Sequence, residues 1–164
     1  MKKVVYFIPA IIMMGIVFYS SSQEYQEQDI RPLLKQYVDL SFLTPLFENI
    51  RISYHNNIVS VETHGIEGFI EFFLRKGAHV TVFLLICLFL YYGITKSFAQ
   101  LSDFSKLCFA FFVTVLYALF DEWHQSLTPN RTPYIGDVWL DSLGASLAIL
   151  FIWIVLHFRT KKTQ

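Results

Sequence analysis

Four apolar runs constrain this chain more than anything else in it. They fall at about 4–20, 76–95, 106–124 and 138–157. A helix that crosses the hydrocarbon core of a bilayer needs about 17–25 mostly apolar residues. Within that core only helices and closed barrels satisfy every backbone polar group. Runs of this kind predict an all-α membrane protein with four transmembrane helices. Composition agrees, since 54% of the 164 residues are hydrophobic and 18% aromatic, more than a soluble domain of this size carries. The net charge is zero and no basic stripe interleaves with aromatics, so membrane lipids, not nucleic acid, are the expected partners. Cys87 and Cys108 both lie in apolar runs and read as membrane-buried small hydrophobes rather than a disulfide framework or a zinc site. The length fits a single domain over 1–164.

The first run admits two readings. Met1-Lys2-Lys3, a short apolar core and Ser20-Ser21-Ser22 would suit a cleaved signal peptide; the same run, extended by tilt and by its serines, would suit a retained span. Pro9 is tolerated in either. The segment at about 21–75 changes composition and carries Glu24, Glu27, Asp29, Asp39, Glu48, Glu62 and Glu67. Asp29 and Pro32 predict a helix start, with Leu33, Leu34, Tyr37 and Val38 at helical spacing. Leu43, Leu46, Phe47 and Ile50 predict a further short amphipathic piece. Those faces would pack on one another or lie on a bilayer surface. Residues 52–54, the pair Asn56-Asn57, and 58–61 read as a small β-hairpin.

Lysine and arginine in short flanks mark the cytoplasmic side. Lys2, Lys3, Lys96, Lys106, Arg159, Lys161 and Lys162 all fall on one side of a four-span arrangement. Both termini are then cytoplasmic and the segment at 21–75 is extracytoplasmic. Four stretches converge on the outer level: Ser21, Ser22 and Gln23; Arg75, Lys76 and His79; Asp121, Glu122, His124 and Gln125; Asp137 and Asp141. Asp121, His124 and Gln125 share a helix face, and so do Asp137 and Asp141. Glu122 flanks them. Pro129-Asn130 predicts a type II turn, with asparagine at the position that needs positive φ, and this turn would aim Arg131.

Ionisable residues within spans are costly and are usually kept for use. Three readings follow for this cluster. Lys76, Arg131 and His79 would capture a phosphate or carboxylate head group. A divalent cation would sit among His124, Asp121, Asp137 and Asp141, whose oxygen-rich donors suit magnesium, calcium or manganese better than zinc. Alternatively Arg75, Lys76 and Arg131 would pair with the acids as a structural lock between helices. Trp123, Trp139, Tyr134 and Trp153 read as interfacial anchors. Gly144, Ala145, Ser146 and Ala148 give the last span a small-residue face for close helix packing.

Taken together, Ser-Ser-Gln at 21–23, Arg75-Lys76-Gly77-Ala78-His79, Asp121-Glu122-Trp123-His124-Gln125, and Arg131 followed by Asp137, Asp141 and Gly144 resemble the VanZ-like membrane protein family over nearly the whole chain. The chain departs from the family's pattern at Asn130, where glycine is common, and at Asp141, where many members have asparagine. The resemblance implies a retained first span and a bacterial cell-membrane protein; the family's namesake is linked to teicoplanin resistance. It supplies no biochemical activity and no cofactor.

The expected function is binding of an anionic cell-envelope lipid or peptidoglycan-precursor head group at the outer face, with Lys76 and Arg131 on the anion, His79 and His124 as donors, and Ser22, Gln23, Asp121, Glu122, Gln125, Asp137 and Asp141 around them. The competing expectation is an enzyme on a lipid-linked phosphate, with His124 or His79 as nucleophile or general acid/base and Asp121 or Asp137 orienting it. Arg131, Asp137 and Asp141 share the spacing of a lipid phosphatase motif, although aspartate stands at 137 where that motif uses a nucleophilic histidine. The third is a helix-packing scaffold.

Overall fold

The computed structural model describes residues 3–55 and 57–162, with the side chains at 160–162 left aside. Met1, Lys2, Asn56, Thr163 and Gln164 lie outside the described residues, and with them the parts of the hairpin turn and the orientation argument that rest on Asn56 and Lys2. Four helices are long and apolar enough to cross a membrane. A 3-10 turn at Val4–Phe7 leads into α1, Ile8–Ser21, with Pro9 in its first turn, where a missing N–H costs nothing. Two short helices, α2 (Arg31–Tyr37) and α3 (Thr44–Phe47), each also open on a proline. The hairpin β1 (Arg51–Tyr54) and β2 (Asn57–Ser60) follows. Then come α4 (Val61–Ser97), α5 (Asp103–Gln125) and α6 (Ile135–Lys162). The expected spans agree with these helices to within a few residues at most ends. The exception is α4, which begins at Val61 and bends at Gly65, whose φ of 70° and ψ of 170° are open to glycine.

The chain divides into two compact units: Met1–Gln23 with His79–Gln164, and Glu24–Ala78. In the first, α5 packs on α6 and on α1. Phe83, Ile86 and Cys87 of α4 are fully buried among Ala10, Ala110, Ala118, Ala145 and Ala148. The alanines let helices approach where bulk would hold them apart. At Gly144 α6 comes close to the α4 backbone, and a Cβ would stand 2.3 Å from the Val80 carbonyl oxygen. Ser146 is not part of that small-residue face: it is exposed and its hydroxyl donates to Ser142 O. Large side chains such as Phe104, Phe112 and Trp139 are exposed, as lipid-facing surface should be. Ser102 caps α5, accepting from the Ser105 N–H at 3.1 Å.

In the second unit the hairpin is antiparallel, with Ile52 opposite Val59 and Tyr54 opposite Asn57. That register places Asn57 in the ladder rather than in the connection, which begins at His55 with φ 45°. Asp29 accepts from the Arg31 N–H at 2.9 Å at the start of α2, although Ile30 holds the cap position itself. The short amphipathic pieces pack only in part: Leu34, Leu43 and Phe47 are half-buried, and Phe47 lies against Phe69. Leu33, Tyr37, Phe42 and Leu46 are all exposed, because helices of seven and four residues offer too little length to cover one another's apolar faces.

Candidate functional site

The site is built from the ends of helices in the first unit. α1 finishes at Ser21, leaving carbonyl groups that have no partner within the helix. The turn after α5 supplies partners for them. Thr128 donates its hydroxyl to Ser21 O at 3.0 Å. Arg131 donates from Nε to Gln23 O at 3.0 Å and from Nη2 to Ser20 O at 3.1 Å. A guanidinium at the negative end of a helix dipole is favourably placed. The turn that aims it is the predicted one: Arg131 N–H donates to Thr128 O at 3.3 Å, and Asn130 sits at φ 58°. Arg131 Nη1 also reaches Gln125 Oε1 at 3.5 Å.

From Gln125 the network enters the helices. Gln125 Nε2 donates to Asp121 Oδ2 at 2.9 Å, and the Ser21 hydroxyl donates to Asp121 Oδ1 at 2.6 Å. Asp121 is buried, 1% exposed, yet its charge is met by neutral donors. On α6, Asp141 is 2% exposed. Its Oδ1 stands 3.4 Å from His79 Nδ1 on α4, an ion-pair approach without a hydrogen bond's geometry. That oxygen is buried and has no hydrogen-bond partner among the described residues. One donor atom each from His79, Asp121 and Asp141 lie within 4.8 Å of one another. Three helices thus bring two carboxylates and an imidazole to a point.

The other expected site residues divide. Glu122 is buried and accepts the Tyr134 N–H, tying α5 to the start of α6. Asp137 lies in the first turn of α6, half-buried, its N–H donating to Tyr134 O at 2.8 Å. His124 stacks on Phe18 at 4.0 Å and is parallel to Phe120, and its Nδ1 is buried without a partner among the described residues. It is His79, not His124, that joins the two aspartates. Ser22 is exposed and its hydroxyl bonds Tyr19 O, while Ser21 reaches Asp121. Gln23 contributes its carbonyl. Lys76 belongs to the second unit, where its ammonium lies 4.5 Å from the centre of the Tyr54 ring and 5.8 Å from that of Phe72.

The sequence reading missed one charged cluster. Glu71, buried, receives Arg75 Nη2 at 2.7 Å and Arg31 Nε at 3.4 Å, with the Tyr25 hydroxyl also at 3.4 Å. The i,i+4 spacing of Glu71 and Arg75 was the available signal. Beside it, Asp29 binds the Arg31 guanidinium at 2.6 and 2.8 Å. This contact pulls the Asp29 carboxyl down to about 2 and holds Arg31 above its ordinary value.

The family model described as VanZ/LLP1 matches residues 6–156. No curated protein matches the chain, and no solved structure matches it.

Proposed function

The chain belongs to the VanZ/LLP1 family, and on that premise we propose that it is a multi-pass protein of the bacterial cell membrane that binds the head group of an anionic envelope lipid or lipid-linked peptidoglycan precursor. The observation that carries this reading is the mixed-charge network at one end of the span body. It runs from the Arg131 guanidinium through Gln125 and Asp121 to Ser21, next to His79 and Asp141. Arg131 is held by three oxygens, so its charge is presented with little ordering cost on binding, and guanidinium suits phosphate. Side chains this polar at the ends of membrane helices are kept for use more often than for packing. The positive-inside pattern supports an outer location for this end, with both termini cytoplasmic. That placement fits a role in glycopeptide resistance or envelope stress.

Native mass spectrometry of the protein extracted from its host membrane tests the reading. An anionic lipid or precursor adduct should appear on the unchanged protein, persist in Arg131→Lys and disappear in Arg131→Met while the variant stays monodisperse. Lys76→Met measures whether the second expected cation shares the anion. An adduct undiminished in Arg131→Met sinks the proposal. A second reading, an enzyme on a lipid-linked phosphate, has the His79–Asp141 approach in its favour, since a buried carboxylate beside an imidazole is how a general base is oriented. Phosphate release that stops in His79→Gln while the adduct persists would select it.

A further inference from the structure

We infer that His79, Asp121 and Asp141 form a site for one divalent metal ion of the manganese or magnesium class. This rests on the head-group reading in one respect: the ion would meet the lipid phosphate together with Arg131. The site itself is built from side chains of three helices.

The three donor atoms come from α4, α5 and α6 and lie within 4.8 Å of one another. Bonds from such ions to carboxylate and imidazole are about 2.0–2.6 Å long, so ligands on opposite sides of an ion stand roughly 4–5 Å apart. The cluster therefore needs only small side-chain adjustments to close on a cation. Asp141 Oδ1 is buried and has no hydrogen-bond partner among the described residues, and a buried acceptor in that state calls for an explanation such as a bound ion. Among the described residues, neither Asp121 nor Asp141 has a lysine or arginine within ion-pair distance. Two carboxylates at this range repel unless a proton or a cation intervenes.

The surroundings favour the cation. Both Asp121 oxygens are oriented by donors, Ser21 at 2.6 Å and Gln125 at 2.9 Å. This is the outer-shell support that fixes metal-binding carboxylates and leaves each oxygen a lone pair. Two carboxylates, one imidazole and no thiolate make a hard donor set, better matched to manganese or magnesium than to a thiophilic ion. The His79 side chain is a quarter exposed. That opening admits an ion and leaves coordination positions for water or a phosphate oxygen.

Manganese binding to the full-length protein in detergent, stripped beforehand with a chelator, is the direct test. Paramagnetic resonance of the free ion counts what is bound, at pH 7.5 and without added lipid. One equivalent per chain is expected. Asp141→Asn and His79→Gln should each weaken binding more than about 100-fold. Ser21→Ala should weaken it by about 10–100-fold, the usual cost of losing an outer-shell partner. Gel filtration reports whether each variant keeps its fold. An unchanged protein that retains no stoichiometric manganese or magnesium overturns the inference, whatever the variants do, and so does full retention in a folded Asp121→Asn, Asp141→Asn double variant. Lipid adducts are then recorded with and without chelator. Metal bound with no lipid adduct leaves the metal site standing and removes the head-group reading; lipid bound equally well by a protein that takes no metal does the reverse.

Discussion

Two regions of this chain bury carboxylates and answer the charge in opposite ways. In 24–78, Glu71 is met by two arginines and a tyrosine hydroxyl. Arg75 also stacks 4.3 Å from the centre of the Tyr25 ring, and Asp29 holds Arg31. Within this group Glu71, Asp29, Arg31 and Arg75 each have an opposite charge within reach, and the cluster is closed. In the span body, Asp121 is met by a serine and a glutamine, and Asp141 by an imidazole at 3.4 Å. The Arg131 guanidinium, which joins that network, is directed at backbone carbonyls and an amide. Burial is comparable in the two regions; neutralisation is not. A buried acid with full counter-charge is a fastener, and one answered only by neutral donors is poised for something cationic.

That contrast can be broken at several points. Glu71→Gln should have the largest effect. It leaves Arg31 and Arg75 facing an uncharged amide, and removing one partner of a buried ion pair typically costs about 3–5 kcal/mol. Because Arg31 is 43% exposed and can turn to water, about 2–3 kcal/mol is expected, read as faster limited proteolysis within 24–78 of the full-length protein. Gly144→Ala comes next. Its methyl would meet the Val80 carbonyl, next in sequence to His79, and overpacking of this kind costs about 1–3 kcal/mol. Lower unfolding temperature in detergent should accompany weakened manganese binding, since α4 and α6 must separate.

Asp29→Asn should cost less, about 0.5–1 kcal/mol, because its contact with Arg31 is largely at the surface and screened by salt. The sign with pH follows from the depressed carboxyl. The contribution is present above the unfolded value near 4 and fades as pH falls toward about 2. The unchanged protein should thus lose proteolytic resistance in 24–78 over that window, and Asp29→Asn should flatten the loss. Asp141→Asn should have the smallest effect on stability, within about 0.5 kcal/mol or slightly favourable, since no full counter-charge is orphaned and a buried charge is removed. If Asp141→Asn in metal-free protein proved as damaging as Glu71→Gln, the two regions would be alike and the open centre would be a second lock.

Much of the fold was legible in the residues because membrane helices are dictated by length and hydropathy. The spans, the turn at Asn130 and the hairpin all follow from local rules that need no partner. The site was legible only in part. Spacing put Asp121 and Gln125 on one face, and they are bonded. It put His124 there as well, but that ring stacks against Phe18, and helix periodicity cannot tell which flank of a face a neighbouring helix will cover. Ser22 and Ser21 differ by one residue and about 100° of rotation, and the packing of α1 on α5 chose Ser21.

By itself the sequence determined that this chain has four membrane-crossing helices, a polar insertion after the first, and an acid-rich cluster at one end of the spans. Those properties belong to single segments and their solvent. Beyond the i,i+4 pair of Glu71 and Arg75, tertiary structure decided which acids are neutralised. Glu71 acquires Arg31 from 40 residues earlier, while Asp141 acquires His79 from another helix and an oxygen left without a donor. Counter-charge is a matter of distance through space, and nothing in the order of residues along a chain encodes that distance until helices have packed.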